Sequence, residues 1–406
     1  MPDNDATTRH RGIDLTVATR LASLPPYLFV EIDRKKRAAL ARGADIINLG
    51  VGDPDLPTPN HIVQALVAAV NDPANHHYPE SEGLLSFRQA CCKWYEERFG
   101  VHLDPERECI SLIGAKDGLG HLPLAFVEPG DFVLVPDPAY PVYNAATVFA
   151  GGRPYPMPLL RENGFLPDLD SIPDDVAGRA RLMYLNYPNN PTGAVATREF
   201  CEKVVEFANK WDIIVAYDNT YSEIAFDGYR PVSLLEIPGA KDVAIEFHSL
   251  SKTFAMTGWR IGMAVGNPGI VDALRRVKSN LDSGVFQAVQ RAAVVALTHN
   301  PLDVAARHSQ IYQERRDLLV NGLRSIGISV DMPSATFYVW PRVPDGFSSA
   351  EFVGMLIDEA GIVCTPGNGF GPHGEGFVRM ALTAPVERLQ QAINRMKAAL
   401  SKARSG

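Results

Sequence analysis

Apolar and polar positions follow two periods along the chain, and together they predict strands alternating with helices. Short apolar runs of strand length recur at 110–113, 132–135, 182–185, 213–217, 243–248 and 261–265. Between them, apolar residues recur every three or four positions, as in 62–70 and in 84–99, where Gly100 is the expected C-terminal cap. Because the runs are apolar throughout, the pattern predicts a mostly parallel sheet covered by helices on both faces.

The two ends of the chain differ from this middle part. A polar stretch carries an amphipathic segment at 27–40, which predicts an arm leading into a helix. Towards the C-terminus, a helical pattern, three strand-like runs and a last helix are predicted at 312–323, 328–332, 337–340, 377–382 and from Val386 onward. We therefore predict an arm over 1–45 that joins the small domain, a large domain over 46–295 and a small α+β domain over 296–406.

Composition narrows the class of protein. The 406 residues are 46% hydrophobic and 21% charged, which is typical of a globular protein with a large core. Lys and Arg number 39 against 47 Asp and Glu, a net charge of −8, which speaks against nucleic acid as the main partner. No apolar run reaches the roughly 18 residues that a membrane span needs, and the polar N-terminus shows no secretory signal. We expect neither a membrane nor a nucleic-acid partner.

Cysteine and histidine usage predicts a cytoplasmic protein without a metal site. The five cysteines are odd in number, and no two stand in C-x-x-C spacing, so we expect reduced thiols. The ten histidines include no H-E-x-x-H and no close pair with metal-ligand spacing.

One glycine-rich segment imitates a dinucleotide-binding motif. The stretch from Gly369 to Gly374 reads G-F-G-P-H-G and fits G-x-G-x-x-G. That motif requires a strand before it and a helix opening at it, whereas Pro372 interrupts this one and the strand-like run 377–382 follows. We interpret the segment as a glycine-rich loop.

The segment 247–260, F-H-S-L-S-K-T-F-A-M-T-G-W-R, is the most informative part of the chain. A lone lysine is normally a solvated surface cation. Lys252, however, follows a predicted buried strand and shares a dozen residues with Ser249, Ser251, Thr253 and Arg260. Hydroxyls and an arginine around one lysine favour an anion site, where the amine can form a Schiff base with an aldehyde cofactor.

Several motifs in order resemble those of the fold-type I, class I/II aminotransferases, which use pyridoxal 5′-phosphate. The lysine segment is similar to their S-x-S-K-x-x-x-x-x-G-W-R, and 186–193, N-Y-P-N-N-P-T-G, is similar to N-P-x-N-P-T-G. Asp218-Asn-Thr-Tyr221 resembles their D-x-x-Y. The resemblance covers nearly the whole chain. It implies an α/β fold-type I transferase with a mostly parallel seven-stranded sheet between helices and a smaller α+β domain.

The resemblance implies a set of cofactor contacts. Lys252 would carry the cofactor and would move a proton between the substrate Cα and the cofactor as general base and acid. Asp218, at the end of an apolar strand, would pair with the pyridine nitrogen, because a buried carboxylate needs a partner. Asn190 and Tyr221 would hydrogen-bond the phenolic oxygen, and Tyr140 would stack on the ring.

The cofactor phosphate is expected at a helix N-terminus. The segment Gly114-Ala115-Lys116 follows a predicted strand and opens a helix, where backbone N–H groups bind anions. The implied phosphate contacts are Ala115, Lys116, Ser249 and Arg260. Tyr78 resembles the tyrosine that reaches the phosphate of the partner subunit, which implies a homodimer with shared sites, and Ser283 is a weaker candidate for a second such contact.

Substrate contacts follow from the same resemblance. Arg379 matches the arginine that grips the α-carboxylate, a role that suits its planar fork, although a strand arginine could equally face solvent. Gly52 matches the loop that closes over the substrate, and Asn190 and Tyr27 would also contact it. The segment 26–32, P-Y-L-F-V-E-I, and Ala115-Lys116 most resemble the LL-diaminopimelate aminotransferases of lysine biosynthesis. They convert LL-2,6-diaminopimelate and 2-oxoglutarate into tetrahydrodipicolinate and L-glutamate.

Three alternatives stay open on the sequence alone. The first is an aminotransferase for alanine, another neutral amino acid or aspartate, since these relatives share the scaffold. The second is a lyase or synthase that uses the same cofactor for elimination. The third is a regulator with an aminotransferase-like domain, which is disfavoured because it needs a DNA-binding module and only about forty residues precede Ile46.

Overall fold

A computed structural model describes residues 15–24 and 28–403. Tyr27, a predicted substrate contact, lies outside the described residues. The strands are β1 (Ile47–Asn48), β2 (Cys109–Leu112), β3 (Phe132–Asp137), β4 (Arg153–Pro158), β5 (Ala180–Asn186), β6 (Ile214–Asp218), β7 (Ala244–Ser249), β8 (Gly262–Gly266), β9 (Tyr338–Val339), β10 (Ile362–Val363), β11 (Thr365–Pro366) and β12 (Val378–Ala381).

Helices separate most of these strands. They are α1 (Thr19–Ala22), α2 (Leu28–Ala41), α3 (Asn60–Val70), α4 (Leu85–Phe99), α5 (Ala115–Phe126), α6 (Val142–Phe149), α7 (Asp174–Ala177), α8 (Arg198–Trp211), α9 (Ala240–Val243), α10 (Leu250–Thr253), α11 (Pro268–Leu281), α12 (Gln287–Thr298), α13 (Pro301–Ser325), α14 (Ser349–Ala360) and α15 (Val386–Ala403). Gly100 ends α4 in the left-handed conformation at φ 71°, as its position predicts. Among the described helices, none is both long and apolar enough to cross a membrane.

Seven strands form the central sheet in the order β2-β8-β7-β6-β5-β3-β4. Neighbours are parallel except that β8 runs antiparallel to both β2 and β7, so the predicted mostly parallel sheet is confirmed. The sequence pattern missed β4, whose residues 153–158 read R-P-Y-P-M-P. Proline cannot donate to a ladder, but an edge strand tolerates it, and β4 lies at the edge.

Alternate side chains of the sheet enter two different cores. On β5, Met183 and Leu185 pack with the core that includes α4 and α8, whereas Leu182 and Tyr184 pack with the core that includes α5. Because both faces are covered, the strands are apolar throughout, as their sequence indicates.

A third core holds the C-terminal part together with β1. Ile47 of β1 pairs in parallel with Ile362 of β10, and both are buried in this core. The sheet β11-β12-β9 is antiparallel and carries Arg379 on its middle strand. The domain boundaries at 45 and 295 stay a prediction.

The predicted strand at 328–332 is wrong. This segment follows the end of α13, where the amide of Ile328 donates to the carbonyl of Leu323. The carbonyl of Val330 accepts from the guanidinium of Arg324, at 2.9 and 3.1 Å, rather than from a strand ladder. The apolar side chains that suggested a strand are buried against the C-terminal core.

Candidate active site

The parallel strands β5, β6 and β7 end at one edge of the central sheet and deliver polar residues there. Asn186 lies opposite Asp218, and Asp218 lies opposite Phe247. The amide of Asn186 donates to the carbonyl of Asp218 at 2.7 Å, and its Oδ1 accepts the backbone N–H of Asn190 at 2.8 Å. In such sheets, ligands bind outside the carboxyl ends of the strands.

Asp218 is a buried carboxylate held by neutral donors. It is 5% exposed, and its oxygens accept hydrogen bonds from the hydroxyls of Tyr143 at 2.8 Å and Thr220 at 2.6 Å. Burial raises the pKa of this carboxyl, although both hydroxyls oppose the change. A cationic partner such as a protonated pyridine nitrogen would stabilise the charged carboxylate, so this residue fits the cofactor.

Lys252 lies on α10, directly after β7. Its Nζ donates to the carbonyl of Gly52 at 2.8 Å and lies 5.5 Å from the centre of the Phe337 ring. Burial lowers the pKa of this amine from 10.5 to about 8, while Asp53 opposes the change. An amine with this pKa is neutral far more often near pH 7 than a surface lysine, and only the neutral form attacks an aldehyde.

Arg379 lies at the centre of the site rather than in solvent. It is 2% exposed, and its guanidinium donates to Oδ1 of Asn190 and to the carbonyl of Gly50, both at 2.8 Å. Its Cζ lies 4.2 Å from the centre of the Tyr338 ring and 4.8 Å from that of Phe370. The solvent-facing alternative for this strand arginine is therefore wrong. A planar guanidinium held in this way can bind a carboxylate through two parallel hydrogen bonds.

Tyr338 contacts both Tyr221 and Arg379, and the sequence analysis did not predict it as a site residue. Its hydroxyl lies 3.2 Å from that of Tyr221, and the two rings meet edge to face at 5.6 Å. A Cβ at Gly52 would lie 1.8 Å from the Tyr338 hydroxyl oxygen, so only glycine fits there. Tyr338 lies in a run predicted correctly as a strand, but a two-residue strand in an apolar segment gives no sign of chemistry.

The predicted phosphate contacts gather where α5 begins. Gly114 precedes Ala115 at φ 74°, and a Cβ at Gly114 would lie 2.2 Å from Nη2 of Arg260. The Arg260 guanidinium donates to the carbonyls of Thr257 at 2.9 Å and Ile113 at 3.3 Å. An arginine packed against the start of a twelve-residue helix provides donors that suit a phosphate.

Ser249 closes the strand end beside this cradle. It is the last residue of β7, and its Oγ accepts the backbone N–H of Ser251 at 3.2 Å, which caps the short helix α10. Ser249 also pairs with Gly262 of β8. This pairing places the end of β7 beside the segment that follows Arg260.

A cavity of about 1260 Å³ adjoins the cradle and contains Lys116, Tyr140 and Arg260 in its wall. The Tyr140 ring meets that of Tyr143 edge to face at 5.9 Å. Part of its wall is formed by residues 368–372 of the longer glycine-rich loop 367–374, which contains the single-turn 3₁₀ helices Gly367–Phe370 and Pro372–Gly374. Lys252, Asp218 and Arg379 do not line this cavity, but the segment that imitates a dinucleotide motif reaches the site through Phe370, whose ring centre lies 4.8 Å from Cζ of Arg379.

Two predicted contacts are exposed on the surface of the chain. Tyr78 is 88% exposed, and Ser283 is exposed as well. They are near each other, since a Cβ at Gly284 would lie 3.0 Å from the carbonyl of Glu80 and 3.3 Å from Pro79. These are the residues whose implied role is in the partner subunit's site.

One cluster of the described residues has metal-ligand character. The side chains of Asp117, His121 and Asp282 bring three ligand atoms within 4.8 Å of one another. The ammonium of Lys278 donates to both carboxylates and supplies the positive charge between them. A lysine in that place competes with a cation, and the prediction of no metal stays a prediction.

The fold and this site define a class of protein. The chain belongs to the class I and II aminotransferases, whose family model matches residues 44–396. The resemblance, the fold class and the expectation of a transaminase are thereby confirmed.

Individual relatives are similar over almost the whole chain. The chain is 58% identical to an LL-diaminopimelate aminotransferase of Syntrophobacter fumaroxidans over 94% of its own length and 98% of the relative. It is 57% identical to one of Aquifex aeolicus, with coverage of 93% and 97%.

Solved structures give the same result. Substrate-bound BacF from Bacillus subtilis superposes with a TM-score of 0.91 at 37% identity, covering 94% of this chain and 97% of that one. A probable N-succinyldiaminopimelate aminotransferase from Thermus thermophilus has a TM-score of 0.87 at 39% identity, with coverage of 92% and 100%.

Proposed function

We propose that the chain is a pyridoxal 5′-phosphate-dependent aminotransferase that moves an amino group from LL-2,6-diaminopimelate to 2-oxoglutarate in lysine biosynthesis. The observation that carries this proposal is that the half-buried amine of Lys252 interacts electrostatically with two buried groups, the carboxylate of Asp218 and the guanidinium of Arg379. The near-full-length similarity to LL-diaminopimelate aminotransferases supports the choice of amino donor.

The chain's own residues provide a holder for each part of the cofactor. When bound, pyridoxal 5′-phosphate supplies an aldehyde that captures amino groups and a ring that withdraws electrons from the substrate Cα. Asp218, fixed by Tyr143 and Thr220, would keep the ring nitrogen protonated. Tyr140 would cover one face of the ring, and Tyr221 and Asn190 would donate to its phenolic oxygen.

The phosphate would lie at the start of α5. The backbone N–H groups of Ala115 and Lys116, the hydroxyl of Ser249 and the guanidinium of Arg260 would be its donors. The same groups concentrate positive potential in a chain whose net charge is −8.

Lys252 would move the proton. Its amine, with a pKa of about 8, would act as the base that accepts the proton of the substrate Cα and as the acid that donates it again. The carbonyl of Gly52 already accepts from this amine, which fixes the direction in which Nζ points.

Arg379 and Asn190 would bind the substrate α-carboxylate. Their mutual hydrogen bond of 2.8 Å places a donor fork and an amide side by side. Tyr338, whose ring centre lies 4.2 Å from Cζ of Arg379, would orient the fork and exclude water from it. The carboxylate in this position would present the Cα to Lys252.

A set of half-reactions tests the function. The protein loaded with pyridoxal 5′-phosphate is mixed separately with LL-diaminopimelate, alanine, aspartate and glutamate, and the loss of bound-cofactor absorbance is followed. We expect LL-diaminopimelate and glutamate to react fastest. Equal conversion by alanine would reject LL-diaminopimelate as the amino donor and leave the class of enzyme standing. In a separate mixture that contains 2-oxoglutarate, release of ammonia and pyruvate without glutamate formation would favour the lyase alternative.

Substitution of the lysine provides the first prediction. We expect Lys252→Ala to bind the cofactor without a covalent bond and to lose at least about 1,000-fold in turnover, because general base and covalent anchor are both removed. Borohydride reduction followed by mass spectrometry should find the cofactor on Lys252 of the unsubstituted protein and on no residue of the variant. Undiminished turnover by the variant would remove the proposed role.

We further propose a homodimer that shares its two sites, with Tyr78 and Ser283 reaching the cofactor phosphate of the partner. Their exposure in the single chain and their proximity to each other support this assignment. The cytoplasmic location stays a prediction.

A further inference from the structure

Lys278 is a buried charge that the proposed chemistry does not use. It lies on α11, and its side chain is 0% exposed. Its Nζ donates to Oδ2 of Asp282 at 2.9 Å and to Oδ2 of Asp117. A lysine is almost never fully buried unless it is paired, so the two carboxylates account for its position.

Asp117 brings this pair to the candidate phosphate cradle. It lies in the first turn of α5, and the oxygen that binds Lys278 also accepts the backbone N–H of Ile113 at 2.8 Å. The carbonyl of Ile113 accepts from the guanidinium of Arg260. One carboxylate therefore contacts both Lys278 and the loop against which the phosphate-binding arginine packs.

The negative charge of Asp117 would weaken the binding of an anion at this site unless a positive charge offsets it. Burial opposes its ionisation, but His121, with Nδ1 2.8 Å from Oδ1, and Lys278 outweigh burial and hold the pKa of its carboxyl below the usual value. Asp117 is thus ionised beside a site proposed for a phosphate. The carboxylate of Asp117 and a bound phosphate would both be negative, and like charges repel more strongly where little water separates them.

Asp282 holds the ammonium from the other side. Its second oxygen, Oδ1, accepts the backbone N–H of Gly284 at 2.8 Å, so the carboxylate is fixed by the turn at the end of α11. Lys278 consequently donates to a carboxylate on α5 and to another at the end of its own helix, and these two contacts hold its ammonium beside Asp117.

We infer that Lys278 is a positioning residue for phosphate binding: it offsets the negative charge of Asp117 and fixes the loop 113–116 at the start of α5. The inference rests on the proposed function, because the phosphate is that of pyridoxal 5′-phosphate. It assigns a role in ligand binding to a residue that touches neither substrate nor cofactor.

The test compares two ligands that differ only in the phosphate. Lys278→Met fills the same space without charge, and the dissociation constants of pyridoxal 5′-phosphate and of pyridoxal are measured by cofactor absorbance. We expect the first constant to rise by about tenfold or more and the second by less than about twofold, since an uncompensated carboxylate acts on the phosphate alone. Arg276→Met, an exposed position on the same helix with the same charge loss, should change neither constant.

A second variant keeps the inference testable if Lys278→Met fails to fold. Asp117→Asn keeps the acceptor for Ile113 and removes the charge, so we expect the preference for pyridoxal 5′-phosphate over pyridoxal to be kept or increased. The double variant Lys278→Met/Asp117→Asn should regain most of the preference that Lys278→Met loses.

Several outcomes would overturn the inference. They are an equal loss for both ligands in Lys278→Met, no loss for either, and a reduced phosphate preference in Asp117→Asn. Failure of the unsubstituted protein to bind pyridoxal 5′-phosphate through Lys252 would instead defeat the proposed function, so the two failures are distinguishable.

Discussion

The chemistry of single residues in this protein is set by burial. Lys252 stands in a motif that a sequence can display, but its amine becomes reactive only because the folded chain removes it from water. The carboxyl of Asp218 is affected in the opposite direction, since burial raises its pKa and creates the need for a cationic partner. Burial thus makes the Lys252 amine more nucleophilic and leaves the Asp218 carboxylate in need of a cationic partner.

The lowered pKa of Lys252 makes capture of the cofactor dependent on pH. We expect the rate at which cofactor-free protein captures pyridoxal 5′-phosphate to rise with pH through a midpoint of about 8, because only the neutral amine reacts. Stopped-flow absorbance at a series of pH values measures it. A midpoint near 10.5 would show an ordinary exposed amine instead.

The same shift affects stability, with a defined sign. Between pH 8 and 10.5 the unfolded lysine binds more proton than the folded one, so the contribution of Lys252 to stability rises with pH across that window. Below pH 8 the full cost of burying the charged amine is present.

Tyr143 offers a test of how Asp218 is held. Tyr143→Phe removes the 2.8 Å hydrogen bond to Oδ2 and keeps the ring, so we expect the cofactor dissociation constant to rise by about tenfold, as for a hydrogen bond to a charged group. Tyr187→Phe is a matched control, because it removes an equally buried hydroxyl that donates to the carbonyl of Phe165. Equal effects of the two substitutions would show that general stability, and not Asp218, is responsible.

At the scale of elements, the site depends on what lies at the ends of strands. The parallel strands β5, β6 and β7 were predictable from apolar runs, and their polar last residues were predictable from the motifs that follow them. The glycine-rich loop 367–374 was predictable only as a loop. Its backbone joins the site because the carbonyl of Phe370 accepts the N–H of Ala139 at 2.9 Å, one residue before Tyr140.

His373 fastens this loop to the central sheet. Its Nδ1 lies 2.7 Å from Oδ2 of Asp137, and its backbone N–H donates to Oδ1 at 3.2 Å. We expect His373→Ala to raise the KM for the amino donor by about 5- to 10-fold with little change in kcat, since the loss of one hydrogen bond loosens Phe370 beneath Arg379. Steady-state kinetics measure both constants.

An exposed histidine provides the comparison for this variant. His61→Ala, on the surface of α3, should leave KM and kcat unchanged. A fall in kcat at constant KM in His373→Ala would contradict a role in holding the substrate-binding wall.

At the scale of the whole molecule, the proposed dimer predicts complementation between two inactive chains. Chains with Lys252→Ala and with Tyr78→Ala are unfolded, mixed in equal amounts and refolded together. If Tyr78 acts in the partner's site, each hybrid dimer has one site with both defects and one intact site. About a quarter of all sites should then be active, because half of the dimers formed at random are hybrids.

A control mixture shows the result expected when both substituted residues belong to the same chain's site. Lys252 and Asp218 belong to the same site, so mixing Lys252→Ala with Asp218→Asn should restore no activity. Failure of the Tyr78 mixture to recover, when hybrid dimers are present by native mass spectrometry, would contradict the shared site.

The sequence by itself determined the fold class, the positions of most main strands along the chain and the residues that carry the motifs. It could do so because strand periodicity and local spacing, as between Asp218 and Tyr221 or between Lys252 and Arg260, act over a few residues. It erred at 328–332, where an apolar run is buried in the C-terminal core without forming a strand ladder, and it missed the proline-rich edge strand β4.

Only the tertiary structure decided which distant groups share a site. Arg379 meets the carbonyl of Gly50 across 329 positions of sequence, and the Tyr143 hydroxyl reaches Asp218 across 75. Lys278 pairs with Asp117 across 161. No local pattern encodes such pairs, because they arise from the packing of whole elements and from the cost of leaving a buried charge without a partner.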